Sequence, residues 1–519
     1  MEKGKNGGWV RNIELIPPTL QDNTADADRL TGALKKELGT EFVDIEFDLL
    51  KRLPQILRES GYRVRCILFK QHGRWLLLDA DAGDDRIIAG LAVDLGTTRL
   101  VLRLIDLVSK KTLGEISFDN PQISVGPDIL ARIHFADQEG GLEKINRLII
   151  DGLNKNIENL CGECGIRPAD IYLFSIAGNT AMTHLFMGLN PRWIIREPYI
   201  PVVNSPDVKK ALTLGIKLNP IARILIFPNI GSYFGGDLIA GILFSGLNKS
   251  DDTAILVDVG TNAEVVLGNK NWLMACAGAA GPALEGGVTK MGMMAGPGVI
   301  DKVSIEPDSC IFHIHTIENK TPIGICGSGL IDLAAHLFLS GMVDIRGRLM
   351  LARCNKRIKD INGIKHLVVV PETESATNAD LTISQADLDS LVRSKAAMYT
   401  ILETITSSVG IVLNELSRFY VAGTFGSFID PRSAISIGML PDLPIDAYLS
   451  LGNSSLGGAS MALTSCESVD EIDKIRDSIT YLELNVNQEF MNRFSAAKFL
   501  PHTNKSLFPS VKQMHQERI

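Results

Sequence analysis

Ile88-Ala89-Gly90-Leu91-Ala92-Val93-Asp94-Leu95-Gly96-Thr97-Thr98-Arg99-Leu100-Val101 reads as a buried strand, a tight glycine turn and a second strand. Ala254-Ile255-Leu256-Val257-Asp258-Val259-Gly260-Thr261-Asn262-Ala263-Glu264-Val265-Val266 repeats the pattern. Each copy puts an Asp at the end of an apolar strand, then Gly, then a Thr hydroxyl. A hairpin of this kind suits a nucleoside triphosphate with its magnesium. The glycine lets backbone approach, turn N–H groups and hydroxyls donate to phosphate oxygens, and the carboxylate holds the metal through its waters. A single Asp-x-Gly-Thr is weak, because glycine after a strand is commonplace. Two copies, each joining two β-rich runs, argue against a pair of ordinary hairpin turns.

Outward from these hairpins, 519 residues leave room for three or four domains of about 150 residues each. Hydrophobic residues make up 45% and charged residues 22%, an ordinary globular composition. A net charge of −8 speaks against a dedicated nucleic-acid surface, which needs clustered Lys and Arg. The opening residues are polar and glycine-rich, unlike a signal peptide. The most apolar stretch, 224–247, contains Pro228, Asn229, Asp237 and several glycines, so a strand, loop and helix are expected there rather than a membrane span. The eight cysteines sit mostly in or beside apolar runs, which fits reduced thiols in a cytoplasm. Cys161 and Cys164 form the single close pair; with no second pair or nearby His they read as a helix end rather than a metal or redox site.

Along the chain, residues 1–24 read as an irregular lead, and 26–38 and 44–60 as helices. Residues 63–69 and 74–79 read as strands, completing a small α+β module that ends near the Asp84-Asp85 linker. From residue 87 strands alternate with helices: strands at 112–120, 170–178 and 223–227, helices at 140–161, 180–187 and 235–246. After the second hairpin come a glycine-rich run at 278–298, a helix at 329–339, a long helical region at 382–416, a strand at 418–422 and a helix from 454. Alternation of this kind predicts an α/β protein whose sheets are covered on both faces. The expected divisions are 1–86, 87–250 and 251–519. Neither a P-loop nor a strand-led G-x-G-x-x-G occurs.

Phe419-Tyr420-Val421-Ala422-Gly423-Thr424-Phe425-Gly426-Ser427 is a strand entering a glycine-rich loop, where backbone can lie flat against a nucleoside. With the two hairpins, this set resembles the ATPase superfamily of actin, sugar kinases and heat-shock chaperones. That resemblance implies two actin-like, RNase H-like lobes of the ASKHA fold, preceded by the small module, with ATP between them. Further stretches narrow it: Ala177-Gly178-Asn179-Thr180-Ala181-Met182-Thr183-His184, Pro228 to Asp237, Ala279 to Gly286, Gly324-Ile325-Cys326-Gly327-Ser328-Gly329-Leu330-Ile331-Asp332 and Gly452 to Ala459. Together these are similar to the reductive activators of corrinoid-dependent enzymes over nearly the whole chain. The resemblance implies ATP hydrolysis driving a one-electron reduction of cobalt from Co(II) to Co(I) on a corrinoid protein, a homodimer, and Mg2+ and ATP as cofactors. For one electron, about 59 mV uphill costs about 1.4 kcal/mol, so roughly a few hundred millivolts needs several kcal/mol. Members usually carry a plant-type ferredoxin module, which requires C-x4-C-x2-C spacing. The first cysteine here is Cys66 and that spacing is absent. No iron–sulfur cluster is expected on this chain, and three accounts are open: a truncation, a separate ferredoxin-type donor or an activity that has drifted.

Asp94 and Asp258 are the candidate magnesium-water ligands, against the plainer role of a carboxylate capping its own turn. Thr97, Thr98, Thr261 and Asn262 are expected to donate to phosphates, with Gly96 and Gly260 making the turns, and Gly423 and Gly426 to border the nucleoside. Gly327 and Gly329 open a helix, either as an anion site or as a purely structural turn. Asp237 either orients an attacking water or is a first-turn acid stabilised by its helix dipole. Glu285 is open in the same way, between contact with nucleotide or partner and a helix start. His313 and His315 alternate along a strand and read as surface residues. Two other functions share the fold: a small-molecule kinase, which needs a base such as Asp237, and an actin- or chaperone-like nucleotide switch that catalyses nothing.

Overall fold

The computed structural model describes residues 7–71, 73–83, 86–260, 263–278, 289–354, 357–484 and 488–511. The chain forms two compact units: Met1–Phe244 with Ser454–Asp477, and Ser245–Asn453 with Ser478–Ile519.

The first unit opens with a four-stranded sheet in the order β1-β3-β4-β2: β1 (Val10–Glu14), β2 (Val43–Ile45), β3 (Arg63–Gln71) and β4 (Arg74–Asp81). The lead expected to be irregular therefore holds a strand, which pairs antiparallel with β3 from Val10 opposite Ile67 to Glu14 opposite Arg63. Its anchor is Trp9, fully buried and stacked on Phe69 at 5.2 Å. Helix α1 (Asp26–Leu38) matches its expected span, with Asp26 and Asp28 in the first turn, Lys35 and Lys36 in the last, and Gly39 at φ 63° closing it. The helix expected over 44–60 is instead β2 followed by α2 (Phe47–Leu50) and α3 (Leu53–Glu59). Pro54 in the first turn of α3 forces the break, since it cannot donate into a preceding turn.

A six-stranded sheet follows in the order β7-β6-β5-β8-β10-β9: β5 (Ala89–Leu95), β6 (Arg99–Asp106), β7 (Thr112–Asp119), β8 (Ile171–Gly178), β9 (Lys209–Lys210) and β10 (Arg223–Ile226). Between β7 and β8 lie α4 (Ile129–Ala136) and α5 (Gly141–Glu163); α6 (Thr180–Met187) follows β8 and α7 (Gly236–Ser245) follows β10. Helix α5 buries Ile145, Ile149, Leu153, Ile157 and Leu160 in the core shared with this sheet, the three-to-four spacing of one apolar face. Each such side chain contributes about 1.5–3 kcal/mol. Cys161 lies buried in its last turn and Cys164 caps it, both as free thiols, and burial pushes the Cys161 thiol up to about 11. Among the described residues no group of three or more His, Cys, Asp or Glu is placed to hold a metal ion.

The second unit has its own six-stranded sheet, β21-β20-β11-β12-β13-β22, built from β11 (Ala254–Val259), β12 (Ala263–Asn269), β13 (Trp272–Gly278), β20 (Arg418–Ala422), β21 (Tyr448–Gly452) and β22 (Ile479–Tyr481). Two three-stranded sheets attach to this unit. One holds β14 (Val299–Ile305), β15 (Phe312–Thr316) and β16 (Gly324–Ile325), leading into α8 (Gly327–Leu339); the other holds β17 (Ile358–Ile361), β18 (Ile364–Val370) and β19 (Leu381–Ser384). The long helix expected from 382 starts only at Gln385, because Ser384 and Asp387 bond each other's backbone N–H in a capping box.

The two large sheets repeat one topology. In each, an antiparallel meander of three strands (β5–β6–β7 or β11–β12–β13) gains two parallel strands on the free edge of its first strand (β8 and β10, or β20 and β21). The first strand is thus central in both and reads as a nearly continuous apolar run. Chain order alone assigns residues 454–477 to the last segment, yet this stretch packs in the first unit. Two glycines permit it: a Cβ on Gly458 would lie 2.2 Å from Ala240 O, and one on Gly457 2.5 Å from Phe244, so helix Ser454–Thr464 sits directly on α7. No helix among the described residues is long and apolar enough to cross a membrane.

Candidate functional site

In the first unit the hairpin β5–β6 places Asp94 at the end of the central strand, opposite Ala177 of β8. Gly96 makes the turn, where any Cβ would meet Arg99 O at 2.2 Å, so a side chain is sterically excluded. Two asparagines brace the loop. Asn120 donates from Nδ2 to Gly96 O at 2.9 Å and from its backbone N–H to Thr98 O at 2.8 Å. Asn179 caps α6 by accepting from Met182 N–H, and its Nδ2 donates to Thr97 Oγ1 at 3.1 Å. Asn179 occurs in a stretch already singled out, and Asn120 had no local signal at all; they meet the loop from 24 and 82 residues away in sequence.

Asp237 reaches the same end of the sheet. A Cβ on Gly235 would lie 2.5 Å from Asn179 Cα and 2.6 Å from Asp237 Oδ1, so the start of α7 is pressed against the end of β8. The loop before it is pinned by Thr180 Oγ1 donating to Gly231 O at 3.2 Å and by buried Asn229, whose Nδ2 donates to Asn204 Oδ1 at 2.8 Å. Asp94, Gly96, Thr97, Asn179 and Asp237 therefore gather at the carboxyl ends of parallel strands, the place where open α/β sheets bind ligands.

The second unit repeats the placement with different parts. Asp258 ends the central strand opposite Ala422 of β20. The next residue, Gly423, has φ 80°, and a Cβ there would stand 3.0 Å from Asp258 Oδ1. The third glycine-rich element thus lies directly over the second loop's carboxylate, a juxtaposition made by strand pairing alone. Gly260 is exposed in the turn, while Thr261, Asn262 and Glu285 lie outside the described residues. Gly426 is buried, and a Cβ there would meet Val421 at 2.4 Å. Gly327 and Gly329 open α8, and a Cβ on Gly329 would lie 2.5 Å from Ile300 O, so at Gly329 the structural alternative has a definite packing cause. His313 and His315 are half exposed and pair with Glu306 at 3.0 Å and Asp301 at 2.6 Å.

A duplicated meander-plus-parallel sheet with an Asp-x-Gly turn at each central strand defines an α/β protein of the actin-like, nucleotide-binding ASKHA class. Family descriptions match in three consecutive pieces: the RACo linker region over 9–86, the RACo middle region over 89–250, and the C-terminal ASKHA domain of RACo over 252–512. The chain belongs to the RACo family. A solved structure titled reductive activator for corrinoid, iron-sulfur protein is 39% identical, with a TM-score of 0.84, covering 98% of this chain and 82% of that one. The corrinoid activation enzyme RamQ of Eubacterium limosum is 29% identical over 93% of this chain and 80% of its own length. The [Co(II) methylated amine-specific corrinoid protein] reductase of Methanosarcina barkeri is 23% identical over 78% of this chain and 75% of its own.

Proposed function

We propose that this protein is an ATP-driven reductive activator: it binds a corrinoid protein as its substrate and uses ATP to return inactive Co(II) to Co(I). The observation that carries the reading is the paired Asp-x-Gly turn, one per unit, in a chain whose relatives are named for corrinoid activation. Each loop is taken by itself to suit phosphate: the Gly96 turn is too tight for any side chain, since a Cβ would meet Arg99 O at 2.2 Å, and in the second unit Gly423 leaves open backbone beside Asp258. In this reading Asp94 and Asp258 hold Mg2+ through its waters, and Gly96, Thr97, Thr98, Gly260, Thr261 and Asn262 present donors to phosphate oxygens. Gly423 and Gly426 border the nucleoside, Gly327 and Gly329 add an anion-facing turn, and Asp237 orients the attacking water. Bound Mg2+ neutralises phosphate charge and polarises the bond that breaks. Asn120 and Asn179 fix the loop before the nucleotide arrives, so little ordering remains to be done on binding.

In this reading the electrons come from a ferredoxin-type iron–sulfur module that is either a separate protein or missing from these 519 residues, which hold no C-x4-C-x2-C set. The protein acts as a homodimer in the cytoplasm. ATP use supplies the several kcal/mol of uphill reduction by favouring a corrinoid-protein conformation with altered cobalt ligation. Titration calorimetry with MgATP, then phosphate release with and without a Co(II) corrinoid protein and a reductant, tests this. MgATP binding, faster turnover with the partner and the Co(I) absorbance are expected. Absence of MgATP binding overturns the reading. A phosphorylated metabolite or ATP-dependent filaments would replace it with the kinase or the switch.

A further inference from the structure

Arg132 on α4 is fully buried and sits behind the first loop. Its Nε donates to Gly126 O at 2.9 Å, its Nη1 lies 3.5 Å from Gln122 Oε1 and 3.2 Å from Met182 Sδ, and its Nη2 has no partner. Among the described residues no carboxylate lies within ion-pair distance of it. The nearby acid is Asp128, whose carboxylate caps the helix by accepting from Ala131 N–H at 2.8 Å. Burial alone drags the guanidinium down to about 10, still charged at neutral pH. A charge kept inside without a counter-ion is a standing cost that packing needs do not explain.

Its neighbours lead to the loop. Met182 stands in the first turn of α6, the helix capped by Asn179, which holds Thr97. Contacts of 3.2 Å from Arg132 Nη1 to Met182 Sδ, 4.0 Å from there to Asn120 Nδ2 and 2.9 Å on to Gly96 O keep the charge within about a Debye length, ~10 Å at 0.1 M salt. Because the intervening groups are buried, little water screens it.

We propose that Arg132 is a positioning residue for the phosphate chain: its buried, unpaired positive charge finds its counter-charge in the polyphosphate seated on the Asp94–Thr98 loop. This rests on the ATP-binding reading above. It predicts that Arg132 matters to the charge of the ligand and not to its nucleoside.

Calorimetry of the full chain with MgATP and with uncharged adenosine tests this in wild type, Arg132→Met and Arg132→Lys. The methionine variant should bind MgATP about tenfold more weakly, the scale of one charge pair ~10 Å apart at an effective dielectric of about 20. Its adenosine affinity should be unchanged and its melting temperature equal or higher, since removing a buried ion is often stabilising. The lysine variant should keep MgATP affinity within about threefold. Equal losses for ATP and adenosine, an unchanged ATP affinity, the same loss in the lysine variant, or failure of Arg132→Met to fold would each assign the residue to packing and overturn the proposal. A wild-type chain that binds no MgATP would instead overturn the function, which separates the two failures.

Discussion

The two hairpins are near-copies in sequence and occupy the same place in two copies of one topology, yet they are supported in opposite ways. Asp94 faces Ala177 and Asp258 faces Ala422, and in both cases glycine comes next on the neighbouring strand. In the first unit Gly178 is pressed onto Leu95, a Cβ there being 2.8 Å from Leu95 Cβ, and the following Asn179 caps an eight-residue helix and reaches Thr97. In the second unit Gly423 turns left-handed over Asp258, and the six-residue helix it opens has no side-chain cap. One copy spends its glycine on packing and lets side chains brace the loop. The other keeps the glycine backbone open beside the carboxylate. Duplicated topology thus yields a loop braced by asparagine side chains in one unit and open glycine backbone beside the carboxylate in the other.

The strongest way to break this comparison is to remove each carboxylate in turn. Asp94→Ala and Asp258→Ala should each lower ATP turnover by about 100-fold or more, the scale seen when a charge-stabilising group at a reaction centre is removed. Both should leave the melting temperature nearly unchanged. Steady-state phosphate release checks this, and full activity in either variant would show that its carboxylate is dispensable for turnover.

The units should also separate with pH. Asp332 on α8 is 8% exposed, its Oδ1 has no partner, and burial raises its carboxyl to about 6 from an ordinary 3.8. The folded second unit holds that proton more tightly than the unfolded chain does. The resulting stabilisation is present below about pH 4 and is lost as pH rises through about 6, up to about 3 kcal/mol. Asp332→Asn should remove this dependence, so its advantage over wild type grows between pH 4 and 7 in hydrogen exchange of second-unit amides. A constant difference across that range would refute the assignment.

Alanine at the two glycines gives the finest discrimination. Gly178→Ala should cost about 1–3 kcal/mol of stability by overpacking against Leu95, with nucleotide affinity per folded molecule preserved. Gly423→Ala should cost about 1 kcal/mol for its left-handed backbone and weaken MgATP about tenfold, because the methyl stands over Asp258. Thermal melts paired with calorimetry separate the two. Equal behaviour would mean that the glycines serve the same purpose.

Much of this is legible in the sequence. Asp94, Gly96 and Asp258 announce themselves because a strand-end acid followed by glycine is a local pattern and occurs twice. The strand at 418–422 and its glycine were equally clear. Trp9 and its strand were missed because an edge strand of five residues carries too little periodicity to stand out. Residues 454–477 follow the 251–519 segment in chain order yet pack in the first unit; what decides their place is the glycine contact with α7. Asn120 and Arg132 carry no local signal, and Asn179, though part of a quoted stretch, shows no sign there of its bond to Thr97, for a related reason. Asparagine and arginine are common, and their roles come from partners dozens of residues away.

By itself, then, the sequence determined the elements that local rules govern: an apolar run makes a strand, a glycine permits a turn, and the longer motifs around them carry the resemblance to the family. Tertiary structure decided what stands beside each turn, because strand pairing and helix packing join residues that share no sequence neighbourhood. The Asp-x-Gly pattern places a carboxylate at a strand end in both units. Only the packed sheets put asparagines around one and bare glycine backbone over the other.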